Sequence, residues 1–544
     1  MKMLLKLVAI CLLTNAMITW GADWPNWGGH DDRNMVSSEK GLPDSFVPGD
    51  KQPSGGGIDM ATARNVKWAA RLGTAAYGNP TVAKGRVFVG TDSETITEDP
   101  RFKRTPGGLV KCLDEATGKL LWQWVVPERI NLATNLHFGL QRLGTCSSPT
   151  VDGDRVYVVT SSAEVLCLDV RGQANGNDGP VKDEDKLMVQ PGQPPVEPTA
   201  ADGDVIWRYD LINELGVHPH DAVSCSILAH GDLLYLSTCN GVDKSHEKIL
   251  APDAPAFIAL DKRTGRLAAV ENEKISTRLF HAQWSSPSLG KVGKKALVFV
   301  GGSDGFCYAF EALDKVPAKA TTLKTAWKYD CNPPNYRFRD GQPVRYMAGD
   351  KRKKDSPNKN DGTYVGPSEI IATPVFYHDR VYVAIGEDPA HGRGKGMLHC
   401  IDATKTGDIT QSGRIWTYDG MDRTIATAAV ADGLVYIPDI AGRLHCLDAE
   451  TGKCYWVYET KTETWGGPLV ADGKLYFGNQ KEFFVMATGK EARVLSRVRL
   501  GSPVYSTPIA ANGVVYAASQ NYLWAAQSLP EKFLDHSSSP AAGQ

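Results

Sequence analysis

Eight copies of a four-strand phrase, an alternation of apolar and polar residues within each copy, and a strand missing from the last copy but present near the start predict an all-β fold. The architecture is an eight-bladed β-propeller of four-stranded antiparallel blades, its ring closed by an N-terminal strand. The phrase is clearest at 442–458, GRLHCLDAETGKCYWVY, and at 107–124, GGLVKCLDEATGKLLWQW. Shorter echoes are LCLDV from Leu166, IALDKRTGR from Ile258 and LHCIDATKTGD from Leu398.

The first two strands of each copy form a hairpin. SPTVDGDRVYVV from Ser148, GPLVADGKLYFG from Gly467 and TPIAANGVVYAA from Thr507 alternate at period two around Asp-Gly or Asn-Gly, the chemistry of a tight turn. The run ending in Leu-Asp is the third strand. Ala-x-Thr-Gly-Lys is a second tight turn whose Gly supplies a positive φ. The fourth strand carries paired aromatics: Trp122 and Trp124, Trp207 and Tyr209, Trp327 and Tyr329, Trp416 and Tyr418, Trp456 and Tyr458. Hairpins begin near Asn79, Ser148, Cys225, Ser286, Thr373, Thr427, Gly467 and Thr507. The eighth copy ends near Gln527 without its fourth strand, and NVKWAARL from Asn65 supplies one. The predicted organisation is a signal peptide over 1–22, an N-terminal segment over 23–64, the propeller over 65–527 and a C-terminal tail over 528–544.

MKMLLKLVAICLLTNAMITWGA has the basic start, short apolar core and small residues (Gly21, Ala22) of a secretory signal. Ile10 precedes Cys11 where a lipoprotein signal needs a small residue, so the expectation is an exported protein, periplasmic or extracellular, without a lipid anchor. No other segment is apolar enough to span a bilayer. With 60 basic against 62 acidic residues the net charge is −2, and nothing in it suggests a nucleic-acid surface. The basic run DKRKKDSPNKNDG from Asp350 reads as a solvated loop. Cys112, Cys167, Cys400 and Cys446 share one repeat position with Ala259 and Ala309, so that position asks for a small apolar side chain rather than a disulfide.

Strand order sets which loops share a face. Turns between strands one and two are minimal, as are most between strands three and four. The insertion from Arg171 to Asp204 is the main exception, and it lacks calcium-loop spacing. Loops between strands two and three, and from one blade to the next, are long, and long loops on one end of a rigid scaffold carry function. Six of the twelve histidines fall there: His137, His218, His220, His246, His281 and His391. At the start of the innermost strands stand Tyr77, Trp284, Trp465 and Tyr505, which either receive a flat ligand or sugar ring or pack the funnel rim. HPHDA, from His218, offers two imidazoles and a carboxylate. A metal site there, from His218, His220, His281 and Glu387, competes with a loop of hydrogen-bonded polar groups.

The phrase LHCLDAETGKCYW with its prelude ADGLVYIPDIAGR resembles the repeat of the pyrroloquinoline-quinone (PQQ) propeller superfamily, and the resemblance runs from Asn65 to Gln527. DWPNWGGHDDRNMVS from Asp23 also resembles the N-terminal segment of such proteins. The resemblance implies one of two functions. Quinoprotein alcohol dehydrogenases hold PQQ and Ca²⁺ in the funnel, with an Asp base, Glu and Asn metal ligands, a stacking Trp and often a ring of adjacent half-cystines. The outer-membrane barrel-assembly lipoprotein uses the repeat as a scaffold without a cofactor. This chain has no Cys-Cys pair, no haem site, no Glu-Asn-Asp set on a matching motif and no lipobox, so no catalytic residue is carried over. By loop position, Trp284 or Trp465 could stack on a quinone, and Arg142, Arg278 or Arg423 could meet its carboxylates. The expectation is an exported, monomeric scaffold that binds a protein, small molecule or glycan on its long-loop face. The alternative is a PQQ- and Ca²⁺-dependent dehydrogenase of alcohols or sugars.

Overall fold

One register recurs in every blade. In the computed structural model, which describes residues 22–528 except 54, 104–106, 130–142, 345–346, 349–350 and 353–364, a small side chain on the third strand pairs with an aromatic residue on the second and, in six blades, with a Trp on the fourth. Cys112 pairs with Phe88 and Trp122, Cys167 with Tyr157 and Trp207, Cys400 with Tyr382 and Trp416, Cys446 with Tyr436 and Trp456. The aromatic ring on the second strand limits the position to Cys, Ala or Val, so Ala259, Ala309, Val485 and Ala525 alternate with cysteine there; beside Ala259 and Val485 the fourth strand carries Ala269 and Ser496 in place of Trp. All ten described cysteines are free thiols.

Eight antiparallel sheets result. Blade one covers 81–127, two 150–210, three 228–270, four 288–330, five 375–418, six 429–459 and seven 469–498. Blade eight combines 509–526 with Val66–Arg71, which pairs antiparallel to Tyr522–Ala526 and closes the ring. Three blades gain a two-residue fifth strand: Val36–Ser37 on blade seven, Thr321–Thr322 on blade three and Gly407–Asp408 on blade four.

Neighbouring blades are pinned by indoles. The Nε1–H of Trp68, Trp122, Trp207, Trp327, Trp416 and Trp456 donates to a carbonyl of the next blade, at Glu115, Val170, Lys262, Ala403, Ala449 and Gly489, over 2.9–3.2 Å. Blades three and seven have Ala269 and Ser496 at this position, and the pairing of Ala269 with Thr321 ties blade three to the excursion between the third and fourth strands of blade four.

The segment from Trp24 to Ser37 plugs the short-turn end of the axis and bonds the inner strands of seven blades and Ile227, just before that of blade three. Backbone bonds link Trp24 to Val82, Pro25 to Val151, Asp31 to Leu289, Asp32 to Phe376 and Met35 to Val470. Asn34 bonds both backbone groups of Val430, and Ser37 reaches Ala510. Arg33, fully buried, donates from Nε to the Pro287 carbonyl at 2.9 Å, from Nη2 to the Ile227 carbonyl at 2.9 Å, and from Nη1 to Asn26 and to the Trp27 carbonyl. The funnel is therefore closed on this face. Residues 1–21 and 529–544, most of the basic run from Asp350, His137 and Arg142 lie outside the described residues. No helix among the described residues is long and apolar enough to cross a membrane.

Candidate functional site

At the long-loop end, four connections bring four imidazoles together. His220 lies between blades two and three, His246 between the second and third strands of blade three, His281 between blades three and four, and His391 within blade five. Backbone bonds lace the first three loops: Gly241 N–H to the His218 carbonyl (2.9 Å), Val242 N–H to that of His281 (3.0 Å), Gln283 N–H to that of Asn240 (2.9 Å). Gly241 permits the approach, since a Cβ there would stand 2.7 Å from the Cβ of His220 and 3.0 Å from that of Ala282.

The rings of His220, His246 and His281 have centroids 4.5–4.8 Å apart, and His391 stands 5.0 Å from His246 and 4.9 Å from His281. Nε2 of His246 lies 2.9 Å from Nε2 of His281. The Nδ1–H of His220 donates to the Val242 carbonyl at 2.9 Å, and the Nδ1–H of His391 donates to Glu387 Oε1 at 3.0 Å. Asp221 Oδ2 lies 3.6 Å from His220 Nε2 and 3.8 Å from His281 Nε2. Two sets of ligand-type atoms come within 4.8 Å of one another: His220, His246 and His281, and Asp221, His281 and Asp388.

Buried carboxyls surround the imidazoles. Burial, and then the charge of Glu387, raises Glu369 well above the usual carboxylate range, and its Oε2 accepts from Ser303 Oγ, which in turn accepts the His281 N–H. Burial also pushes Asp388 up to about 6, helped by Asp221 and Glu387 and opposed by His391. For His391, burial disfavours the imidazolium, but the Glu387 hydrogen bond and the nearby carboxylates outweigh it, so its pKa is raised. Arg423, 1% exposed, lies under the cluster with Nη1 3.5 Å from Glu387 Oε2. A cleft of about 460 Å³ opens beside these groups, with His246, His391, Arg278, Phe280, Phe338 and Val344 in its wall.

The structure distributes the sequence-predicted residues over two poles of the funnel. His220, His281 and Glu387 lie at the imidazole pole, Glu387 through His391. His218 belongs to neither ligand-spaced set; its backbone N–H donates to Asn240 Oδ1, and burial lowers its pKa. Trp284 sits at the same pole, its ring 4.7 Å from His281 and its Nε1–H donating to the Ala222 carbonyl at 2.7 Å. Across the funnel, Trp465 and Tyr505 stack at 4.0 Å and Tyr77 stacks on Tyr505 at 5.6 Å. Arg278 is held by Asp304 and Tyr308. His246 and His391 were visible only as histidines of the long-loop face, and Asp221 only as a member of HPHDA; no sequence feature sets the distances between loops 26 to 171 residues apart.

Neither ligand-spaced set is an all-oxygen site. Ca²⁺ takes oxygen ligands, whereas both ligand-spaced sets here include imidazole. The stacking of Trp465 on Tyr505 covers one indole face, Arg278 pairs with Asp304 in the cleft wall, and Arg423 lies 3.5 Å from Glu387.

Repeat, ring and funnel together define a PQQ-repeat propeller. The family model described as "Outer membrane protein assembly factor BamB" matches residues 57–174, 106–314 and 394–493, and the chain belongs to this family of PQQ-repeat propellers. No curated protein matches the sequence. Among solved structures, a europium-containing methanol dehydrogenase is 12% identical, with 91% of this chain and 89% of that chain covered and a TM-score of 0.53. The quinohemoprotein alcohol dehydrogenase ADHIIG from Pseudomonas putida HK5 is 12% identical, with 94% and 81% covered and a TM-score of 0.55. BamB from Moraxella catarrhalis is 13% identical, with 85% and 97% covered and a TM-score of 0.49. At these identities the likeness is one of fold.

Proposed function

We propose that this chain is an exported binding propeller that takes a small molecule or glycan on its long-loop face, in the cleft beside the imidazole cluster. One observation carries the reading: the loops of blades three, four and five converge on a cleft with apolar walls and an ionisable floor, on the face opposite the N-terminal plug. Phe280, Phe338 and Val344 offer contact area, and His246 and His391 offer polar groups that fix orientation, the usual composition of a ligand site. The matching family model, described as an outer membrane protein assembly factor, supports a binding role, and the imidazole in both ligand-spaced sets weighs against a Ca²⁺-dependent dehydrogenase.

Thermal unfolding of the mature protein against a panel of oligosaccharides, diols and aromatic acids tests this. A ligand at 100 times its Kd adds about 2.7 kcal/mol and raises the midpoint. At least one panel member should do so, and Phe338→Ala, a change at a side chain 54% exposed, should weaken it about tenfold without altering the unliganded midpoint. PQQ plus Ca²⁺ should leave the midpoint where it is. A rise that requires both would replace this reading with the dehydrogenase, and a panel without a binder would reject the cleft.

A further inference from the structure

We infer that His220, His246 and His281 form a transition-metal centre, a three-nitrogen site for Zn²⁺ or another first-row divalent ion whose remaining position faces the cleft. The inference concerns the cluster itself and holds whether or not the cleft takes an organic ligand.

Three features point to a cation. First, the ligand-type nitrogens of the three rings fall within 4.8 Å of one another although they come from separate loops. Ligands at 2.0–2.1 Å from a tetrahedral ion lie about 3.4 Å apart, so small ring rotations complete the set. Second, the tautomer is set from outside. The Nδ1–H of His220 is committed to the Val242 carbonyl, which places the lone pair on Nε2. A backbone carbonyl holding the distal N–H is the usual support of a metal-binding imidazole. Third, two imidazole nitrogens 2.9 Å apart, as in His246 and His281, must have a proton or a cation between them, because two lone pairs repel at that distance.

The surroundings favour a cation of charge +2 over a shared proton. Asp221 Oδ2 lies within 3.8 Å of both His220 and His281, and Asp388 joins the same group. His391 stands at the edge with its Nδ1–H on Glu387, a positioned imidazole beside the metal rather than one of its three ligands. Donor type selects the ion: imidazole suits Zn, Cu, Ni and Fe, whereas Ca²⁺ and Mg²⁺ require oxygen. Three protein ligands with one position left open is the pattern of a site that meets an exogenous ligand, and His246, only half-buried, lies in the cleft wall.

Metal content of tag-free full-length protein, measured by plasma mass spectrometry with no organic ligand present, is the first readout. One transition-metal ion per chain is expected. His281→Ala should reduce it at least tenfold, while His218→Gln, two residues from His220 but outside the set, should retain it; circular dichroism and the thermal midpoint report whether each variant is folded. Because a histidine variant could fail to fold, chelator-treated wild-type protein is also titrated with Co²⁺, which should give the intense visible bands of a four-coordinate site at one equivalent. Wild-type protein that neither retains a transition metal nor develops those bands would overturn the inference and leave a proton-sharing imidazole network. Equal loss from His218→Gln and His281→Ala would overturn the assignment of the ligands. Metal content and cleft binding are read separately, so failure of one does not decide the other.

Discussion

A buried carboxyl shows how far burial at a single residue governs charge. Asp204 has no exposed surface, and Oδ2 accepts the Asp178 N–H at 2.9 Å. Burial, then the nearby Glu184 and Asp169, raises its pKa from 3.8 to about 6. The folded state therefore holds this proton more tightly than the unfolded chain. The stability it contributes is complete below pH 4 and is lost as pH rises through 6. Asp204→Asn removes that loss while keeping an acceptor for Asp178. Urea unfolding should show a gain of about 1–2 kcal/mol at pH 8 and no gain at pH 4. The sequence marks Asp204 only as the end of a polar insertion. Its environment comes from residues up to 35 positions away, and pattern reading does not reach that far. The same boundary applies at the funnel: HPHDA announces ionisable groups, but that His220 meets His246 and His281 while His218 does not is settled by the backbone bonds between loops.

Among the elements, the turn between the third and fourth strands does more than its sequence suggests. Asp-x-x-Thr-Gly predicts a Gly with positive φ, and Gly265 has φ +73°. The structure adds the indole of Trp207, from the preceding blade, lying where a Cβ would stand 2.5 Å from the ring. Gly118 and Gly452 are covered in the same way by Trp68 and Trp416, each at 2.6 Å. The aromatic strand and the glycine turn are thus the two halves of one contact between blades. Each half was legible as a repeat; their pairing was not, since it joins residues about one blade apart. Gly231 separates strain from packing, because its φ is +58° and a Cβ there would meet nothing within 4 Å. Gly231→Ala should cost about 1 kcal/mol, from backbone strain alone. Gly265→Ala should cost about 3 kcal/mol, because the indole must also move. Trp207→Phe, which keeps an aromatic side chain but loses part of the buried indole and the 3.2 Å bond to the Lys262 carbonyl, should cost about 2 kcal/mol in denaturant unfolding.

For the whole molecule, the question is whether eight similar units unfold as one. An open repeat array is coupled only through nearest neighbours, so its ends fray and its unfolding broadens. Two devices remove the ends here. Val66–Arg71 completes blade eight from the opposite end of the chain, and the segment from Trp24 to Ser37 bonds the inner strands of seven blades and Ile227, just before that of blade three. Arg33 is the hub of that plug. Burial lowers its pKa only to about 10, so it stays charged at neutral pH and supplies donors to carbonyls of three separate segments. Arg33→Met preserves much of the volume but leaves those carbonyls unpaired, and it should cost about 3 kcal/mol while unfolding remains a single transition, because the closing strand is intact. Trp68→Asp attacks the closing strand instead: it places a carboxylate at a site 4% exposed and removes the indole bond to Glu115 in blade one. With the ring opened between blades eight and one, calorimetry should resolve two or more transitions where the wild-type protein shows one. A single transition in Trp68→Asp, merely shifted to lower temperature, would place the source of cooperativity in the plug rather than in the closure of the ring.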